Sequence, residues 1–192
     1  MAWTHFPSTV FASSPGTIVG GACYVGLLAA VSVTDVRARR ISNRLVVLIG
    51  VLGLSFSVLT QSSGTGTARA LLAFALGFAL WLPFWTFGML GAGDVKLFAA
   101  ASCWLAPSQV LNAALLSAIV GGLLSLVALV LAHGFGRAAF RVAEVMHDPR
   151  VLGAPLAVPA GRRTLPYGLA LALGLSVVGW SDRLAQWWSH LS

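Results

Sequence analysis

Residues Gln109–Ala132 read QVLNAALLSAIVGGLLSLVALVLA, a stretch without one acidic or basic side chain. A helix needs roughly 20 apolar residues to cross about 30 Å of hydrocarbon, so this segment has the length and composition of a spanning helix. The rest of the chain agrees with it. Of 192 residues, 58% are hydrophobic and 9% charged, against about 25% charged in a soluble domain, and the mean hydropathy is +0.88. Seven Trp, ten Phe and twenty-one Gly leave too little polar surface to coat a globule in water. The apolar residues fall in long blocks rather than alternating, which predicts an all-α polytopic membrane bundle and excludes a water-soluble domain.

Working outward, polar and Gly/Pro punctuation divides the chain into six expected spans: 17–34, 44–60, 68–90, 94–105, 109–132 and 165–180. Pro83 is expected to kink the third. The fourth is short, stopping before Pro107, with a turn at Ala106–Ser108 near the far surface. Trp187 and Trp188 read as an interfacial aromatic pair. The remaining polar stretch, 133–164, has Phe135, Ala138, Val142 and Val145 at helical spacing opposite Arg137, Arg141, Glu144 and Asp148. It reads either as an interfacial helix or as a solvated loop that fixes topology. The whole is one membrane domain, 1–192.

The net charge of +7 would in a soluble protein suggest nucleic acid, but here position decides. Arg37, Arg39, Arg40, Arg44, Lys96, Arg137, Arg141, Arg150, Arg162 and Arg163 all fall at junctions on one side, leaving Arg69 and Arg183 on the other. Ten of twelve basic residues thus mark the cytoplasmic face. No nucleic-acid partner is expected. Cys23 and Cys103 form neither a CxxC pair nor a zinc spacing and read as small core residues. Neither a metal nor a cofactor is expected. Trp81, Trp85 and Trp104 read as packing or lipid-facing side chains, and the four scattered histidines receive no role.

Only five acids are present, and Glu144, Asp148 and Asp182 fall in loops or the tail. Asp35 closes the first span and Asp94 opens the fourth, both at the basic face. An ionisable side chain at the edge of a span is costly without a partner or a task. Two carboxylates at short range do not both ionise cheaply, so one holds a proton while the other serves as base toward a shared water. That is the chemistry of an aspartic protease. Asp94 sits at a helix N-terminus, whose dipole favours the anion, and Asp35 at a C-terminus, so Asp35 is expected to carry the proton. Gly91 and Gly93, just ahead of Asp94, are expected to permit close backbone approach or positive φ, with Lys96 one turn in. Two other classes remain open from the residues alone: a proton- or cation-coupled transporter using the same acids, and a non-enzymatic membrane subunit in which the acids pair with Lys96 or Arg37.

Three ordered motifs resemble the type IV prepilin peptidases, the GxGD class of membrane aspartic proteases. Asp35-Val36-Arg37-Ala38-Arg39-Arg40-Ile41-Ser42-Asn43 is similar to the family's first motif, with Ser42 where Pro is usual. Gly91-Ala92-Gly93-Asp94-Val95-Lys96, continuing into Leu97-Phe98-Ala99-Ala100, is similar to the second. Leu165-Pro166-Tyr167-Gly168, followed by Ala170 and Gly174, resembles the C-terminal Pro-Tyr-Gly segment. The resemblance spans about Leu27 to Gly174. It implies Asp35 and Asp94 as the catalytic pair, with Gly91, Gly93, Lys96, Asn43, Pro166, Tyr167 and Gly168 in support. It further implies prepilin or pseudopilin substrates cut at the cytoplasmic face of a bacterial inner membrane, among membrane lipid. The CxxC-bearing N-terminal insertion of longer members has no counterpart here, so the chain resembles the short, peptidase-only form associated with tight-adherence (Flp) pili.

Overall fold

The computed structural model describes residues 15–38, 41–60, 65–133, 143, 147 and 167–189. Apart from short connecting turns these are helical, with α1 Pro15–Ala38, α2 Asn43–Thr60, α3 Gly66–Thr86, α4 Ala92–Ser102, α5 Pro107–His133 and α6 Tyr167–Ser189. Stretches in four helices are long and apolar enough to cross a membrane: Ile18–Ala38, Asn43–Thr60, Gly66–Thr86 and Pro107–Ala128. A shorter apolar stretch, Tyr167–Trp180, opens α6. The expected interfacial helix in 133–164, Pro166, and the side chains of Trp187 and Trp188 lie outside the described residues.

The outward faces carry large apolar side chains, among them Leu59, Leu72, Leu111 and Ile119, a distribution stable against acyl chains rather than water. Inside, helices meet through small residues, as they do where lipid supplies no hydrophobic drive for association. A Cβ on Gly174 of α6 would lie 2.6 Å from the backbone nitrogen of Ser117 on α5. A Cβ on Gly66, at the start of α3, would overlap the backbone of Ser57 and Val58 in α2. There the Ser57 hydroxyl donates to the Gly66 carbonyl at 3.0 Å, fixing one end of the α2–α3 hairpin. Cys103 is buried as expected, whereas Cys23 is exposed on the flank of α1.

The central helix departs from the expected span. α4 has eleven residues, which at 1.5 Å per residue covers about 16 Å, half a hydrocarbon core. Its lower end meets the middle of its neighbours. Ser102 packs on Gly77 of α3, and Trp104 packs on Gly53 of α2 and donates from Nε1 to the Ile49 carbonyl at 2.9 Å. Val95 and Leu97–Ala106 are buried, so the turn before α5 lies inside the bundle rather than at the far surface. A turn at that depth must satisfy its own backbone. The amides of Cys103, Trp104 and Leu105 tighten back onto the carbonyls of Ala100, Ala101 and Ser102. The Ala106 amide donates to Gln109 Oε1 at 3.0 Å, and the Gln109 amide returns to the Ala106 carbonyl at 2.8 Å. α5 and α6 then run antiparallel, with Gly121 of α5 against Tyr167 at the start of α6. α3 passes through Pro83 and ends three residues later at Thr86, where Gly88, at φ 71°, turns the chain toward α4.

Candidate functional site

The last turn of α1, the starts of α2 and α4, and the start of α6 converge at one end of the bundle. Asp35, in that last turn, is 7% exposed. Its Oδ2 accepts the Gly168 amide at 2.8 Å, across 133 positions of sequence. This amide belongs to the first turn of α6, whose N–H groups have no partner within their own helix and whose dipole is positive there. The same contact explains the glycine: a Cβ at residue 168 would stand 2.7 Å from Oδ2 and 3.1 Å from Cγ of Asp35.

Asp94 lies in the first turn of α4, half-buried. Its Oδ2 accepts the Gly91 amide at 3.3 Å, and its own amide returns to the Gly91 carbonyl at 3.1 Å. Burial and then the Asp35 charge push the Asp94 carboxyl up to about 6, while the Gly91 bond pulls weakly the other way. The two acids are therefore electrostatically coupled, as their sequence positions suggested. Burial thus favours a proton on Asp94, where the sequence reading expected the anion. The N-terminus that stabilises negative charge on Asp35 belongs to α6, not to any helix adjacent in sequence.

Around the pair, Ile41 packs 3.5 Å from where a Gly93 Cβ would stand, which joins the first two motifs. Neither Gly91, with φ −74° as the residue before α4, nor Gly93, inside the helix, has positive φ. The expected positive φ is thus absent from both. Tyr167 is half-buried, its ring edge-on to Trp81 at 6.0 Å between centroids, and its hydroxyl feels the Asp94 charge. A Cβ on Gly121 would fall within 2.5–2.7 Å of the Tyr167 ring and hydroxyl, so α5 admits the tyrosine only at that glycine. Trp81, 2% exposed, also stacks edge-on against Phe98 at 5.5 Å. Its Nε1 has no hydrogen-bond partner. Asn43 and Lys96 are exposed and join neither carboxylate. Sequence reasoning passed over Gly121 and gave Trp81 only a packing role. The Gly121–Gly122 pair in an otherwise bulky apolar run was the available signal for a close helix contact.

A family model described as the type IV leader peptidase family matches residues 22–126, more than half the chain. Among curated proteins and among solved structures nothing matches. The matched stretch includes both acids and ends before Tyr167 and Gly168.

Proposed function

The chain belongs to the type IV leader peptidase family, and on that premise we propose that it is a membrane aspartic endopeptidase whose catalytic pair is Asp35 and Asp94. One observation carries the reading: two coupled carboxyls at the same end of the bundle, one given a backbone N–H, the other raised by burial and by its neighbour's charge. In this mechanism Asp35 is the base. It takes a proton from a water held between the two carboxyls, and the hydroxide adds to the scissile carbonyl carbon. Asp94, protonated, donates to the carbonyl oxygen as it becomes negative. Collapse of the tetrahedral intermediate expels the amine, which receives the proton held by Asp35. The pair titrates as a unit. No cofactor takes part in these steps.

The substrate in this reading is a prepilin of the Flp type, with a hydrophilic leader joined to an apolar helix that enters the bilayer beside α1 and α4. The cut then falls at the cytoplasmic face of a bacterial inner membrane. Arg37, Arg44 and Lys96, all exposed at the end that carries the two acids, support that orientation. The location of both acids near one end favours a peptidase over a carrier, whose sites lie near the midplane. The test is cleavage of a co-reconstituted Flp-type prepilin by the wild type, Asp35→Asn and Asp94→Asn, with the new N-terminus sequenced. Processing by wild type alone supports the pair. Processing by either variant refutes it.

A further inference from the structure

At the end of the bundle opposite the two acids, α3 begins with a buried cation, two of whose three nitrogens have no hydrogen-bond partner. Arg69, in the first turns of α3, is 6% exposed, and its Nε and Nη2 are buried without a hydrogen-bond partner. A guanidinium removed from water without an anion is among the costliest arrangements a fold can hold. Between Asp35 and Asp94 the sequence contains no acidic residue, so α2, α3 and the chain joining them offer no carboxylate. The one acid that α6 carries toward this end is Asp182. α3, however, packs against α2, α4 and α5.

A second feature of the same place points to an anion independently. Thr65, the residue preceding α3, provides no side-chain cap, and the first turn contains no acid. The Arg69 amide is the first to bond back, to the Thr65 carbonyl at 2.9 Å. The N–H groups of Gly66, Thr67 and Ala68 thus stand at the positive end of a 21-residue helix. A helical side chain leans toward the N-terminus of its own helix, which carries the Arg69 head back over these amides. The seat is rigid, because Gly66 is wedged against the backbone of Ser57 and Val58. The carbonyls ending α2 are the acceptors nearest in the chain, yet neither Nε nor Nη2 bonds one.

We propose that Arg69 and the first turn of α3 form an anion site for a phosphate group, occupied by the headgroup phosphate of an anionic phospholipid in the leaflet opposite the acid pair. A phosphate oxygen pair matches the guanidinium fork, and helix N-termini bind such groups readily. α3 starts about 30 Å from its own far end by helix rise, so its first turn falls at headgroup depth and a lipid reaches it without leaving the bilayer.

The test is thermal unfolding of the full chain in a nonionic detergent, with added phosphatidylglycerol, phosphatidylcholine or inorganic phosphate. Wild type is expected to gain midpoint temperature saturably with phosphatidylglycerol and less with phosphatidylcholine. Arg69→Met and Arg69→Gln are expected to lose that gain while unfolding above wild type in lipid-free detergent, where the unpaired charge is pure cost. Arg69→Lys is expected to keep a weaker response, since the point charge remains without the fork. An equal, Arg69-dependent gain with inorganic phosphate would assign the site to a free anion of the same chemistry. A phosphatidylglycerol response unchanged in both neutral variants, or absent from wild type, overturns the proposal. So does Asp182→Asn creating or enlarging the response, which would make that carboxylate the partner that holds Arg69 in the wild type. If one neutral variant fails to fold, the other and the lysine variant still decide.

Discussion

Replacing Asp94 by Asn should make the protein more stable and inactive at once, and the stabilisation should appear only as the pH rises. The folded carboxyl titrates at about 6 against an ordinary 3.8, chiefly through burial and then through the Asp35 charge. The folded state therefore binds this proton more tightly than the unfolded chain does. Its contribution is intact below about 4 and is lost as pH climbs from there through 6. Two pKa units at about 1.4 kcal/mol each give a penalty of about 3 kcal/mol at pH 8 and about 0.5 kcal/mol at pH 4. The larger figure is an upper bound, because Asp94 is only half-buried and water screens part of the charge. Asn cannot ionise, and its amide oxygen still accepts the Gly91 amide. The assay is the unfolding midpoint of wild type and Asp94→Asn in neutral detergent from pH 4 to pH 8. The difference should be close to zero at the acid end and open to several degrees by pH 7. A pH-independent difference, or a variant less stable than wild type at pH 8, would refute the claim that burial and the Asp35 charge strain this carboxyl. Stability gained where activity is lost is also the mark of a group kept for function.

Four further outcomes follow. Prepilin cleavage, measured as kcat/KM, should fall as pH rises through about 6, because the donor form of Asp94 is lost there; a rate still rising to pH 9 would exclude that role. Gly168→Ala places a methyl 2.7 Å from Asp35 Oδ2 and should lower the cleavage rate about a hundredfold, the scale of a 1 Å misplacement, with the chain still inserted and folded. Gly121→Ala, pressing on the Tyr167 ring, should cost about 1–3 kcal/mol and be partly rescued by Tyr167→Leu in a double-mutant unfolding cycle. Trp104→Phe, which deletes the 2.9 Å bond to the Ile49 carbonyl, should lower the unfolding midpoint by an amount corresponding to about 1 kcal/mol and leave cleavage near wild type.

The spanning helices were legible because their signal is length and composition, which no tertiary contact overrides: 43–60 and 107–128 are long and predominantly apolar. The half-length of α4 was not, for a physical reason. Residues Leu97–Leu105 are as apolar as a span, and the turn that ends them contains no Gly, Asn or Asp to announce it. Its backbone groups are satisfied by tightened backbone bonds and by Gln109, the third residue of the next helix, whose Oε1 accepts the Ala106 amide. Both acids were legible as rare charges at span edges. The amide that reaches Asp35 was not, since the helix dipoles visible in the sequence are those of α1 and α4, whereas the N-terminus at Asp35 is that of α6. Pattern reading likewise expected positive φ at Gly91 and Gly93, whereas among the described residues it is Gly88 that has it, at φ 71°.

The two motifs that carry the acids are therefore an incomplete account of the site. The family match ends at residue 126, yet the amide that holds Asp35 comes from residue 168. Without that N–H, Asp35 would be a carboxylate 7% exposed with a like charge beside it, the arrangement in which neither acid ionises cheaply. The first turn of α6 breaks this symmetry: it stabilises charge on one member and leaves the other to burial, and the proposed division into base and acid rests on that asymmetry. The close fits at Gly168 and Gly121 follow from this requirement. One lets the α6 amide reach the carboxylate, and the other lets Tyr167, the first residue of the same helix, seat against α5 so that the amide stays there.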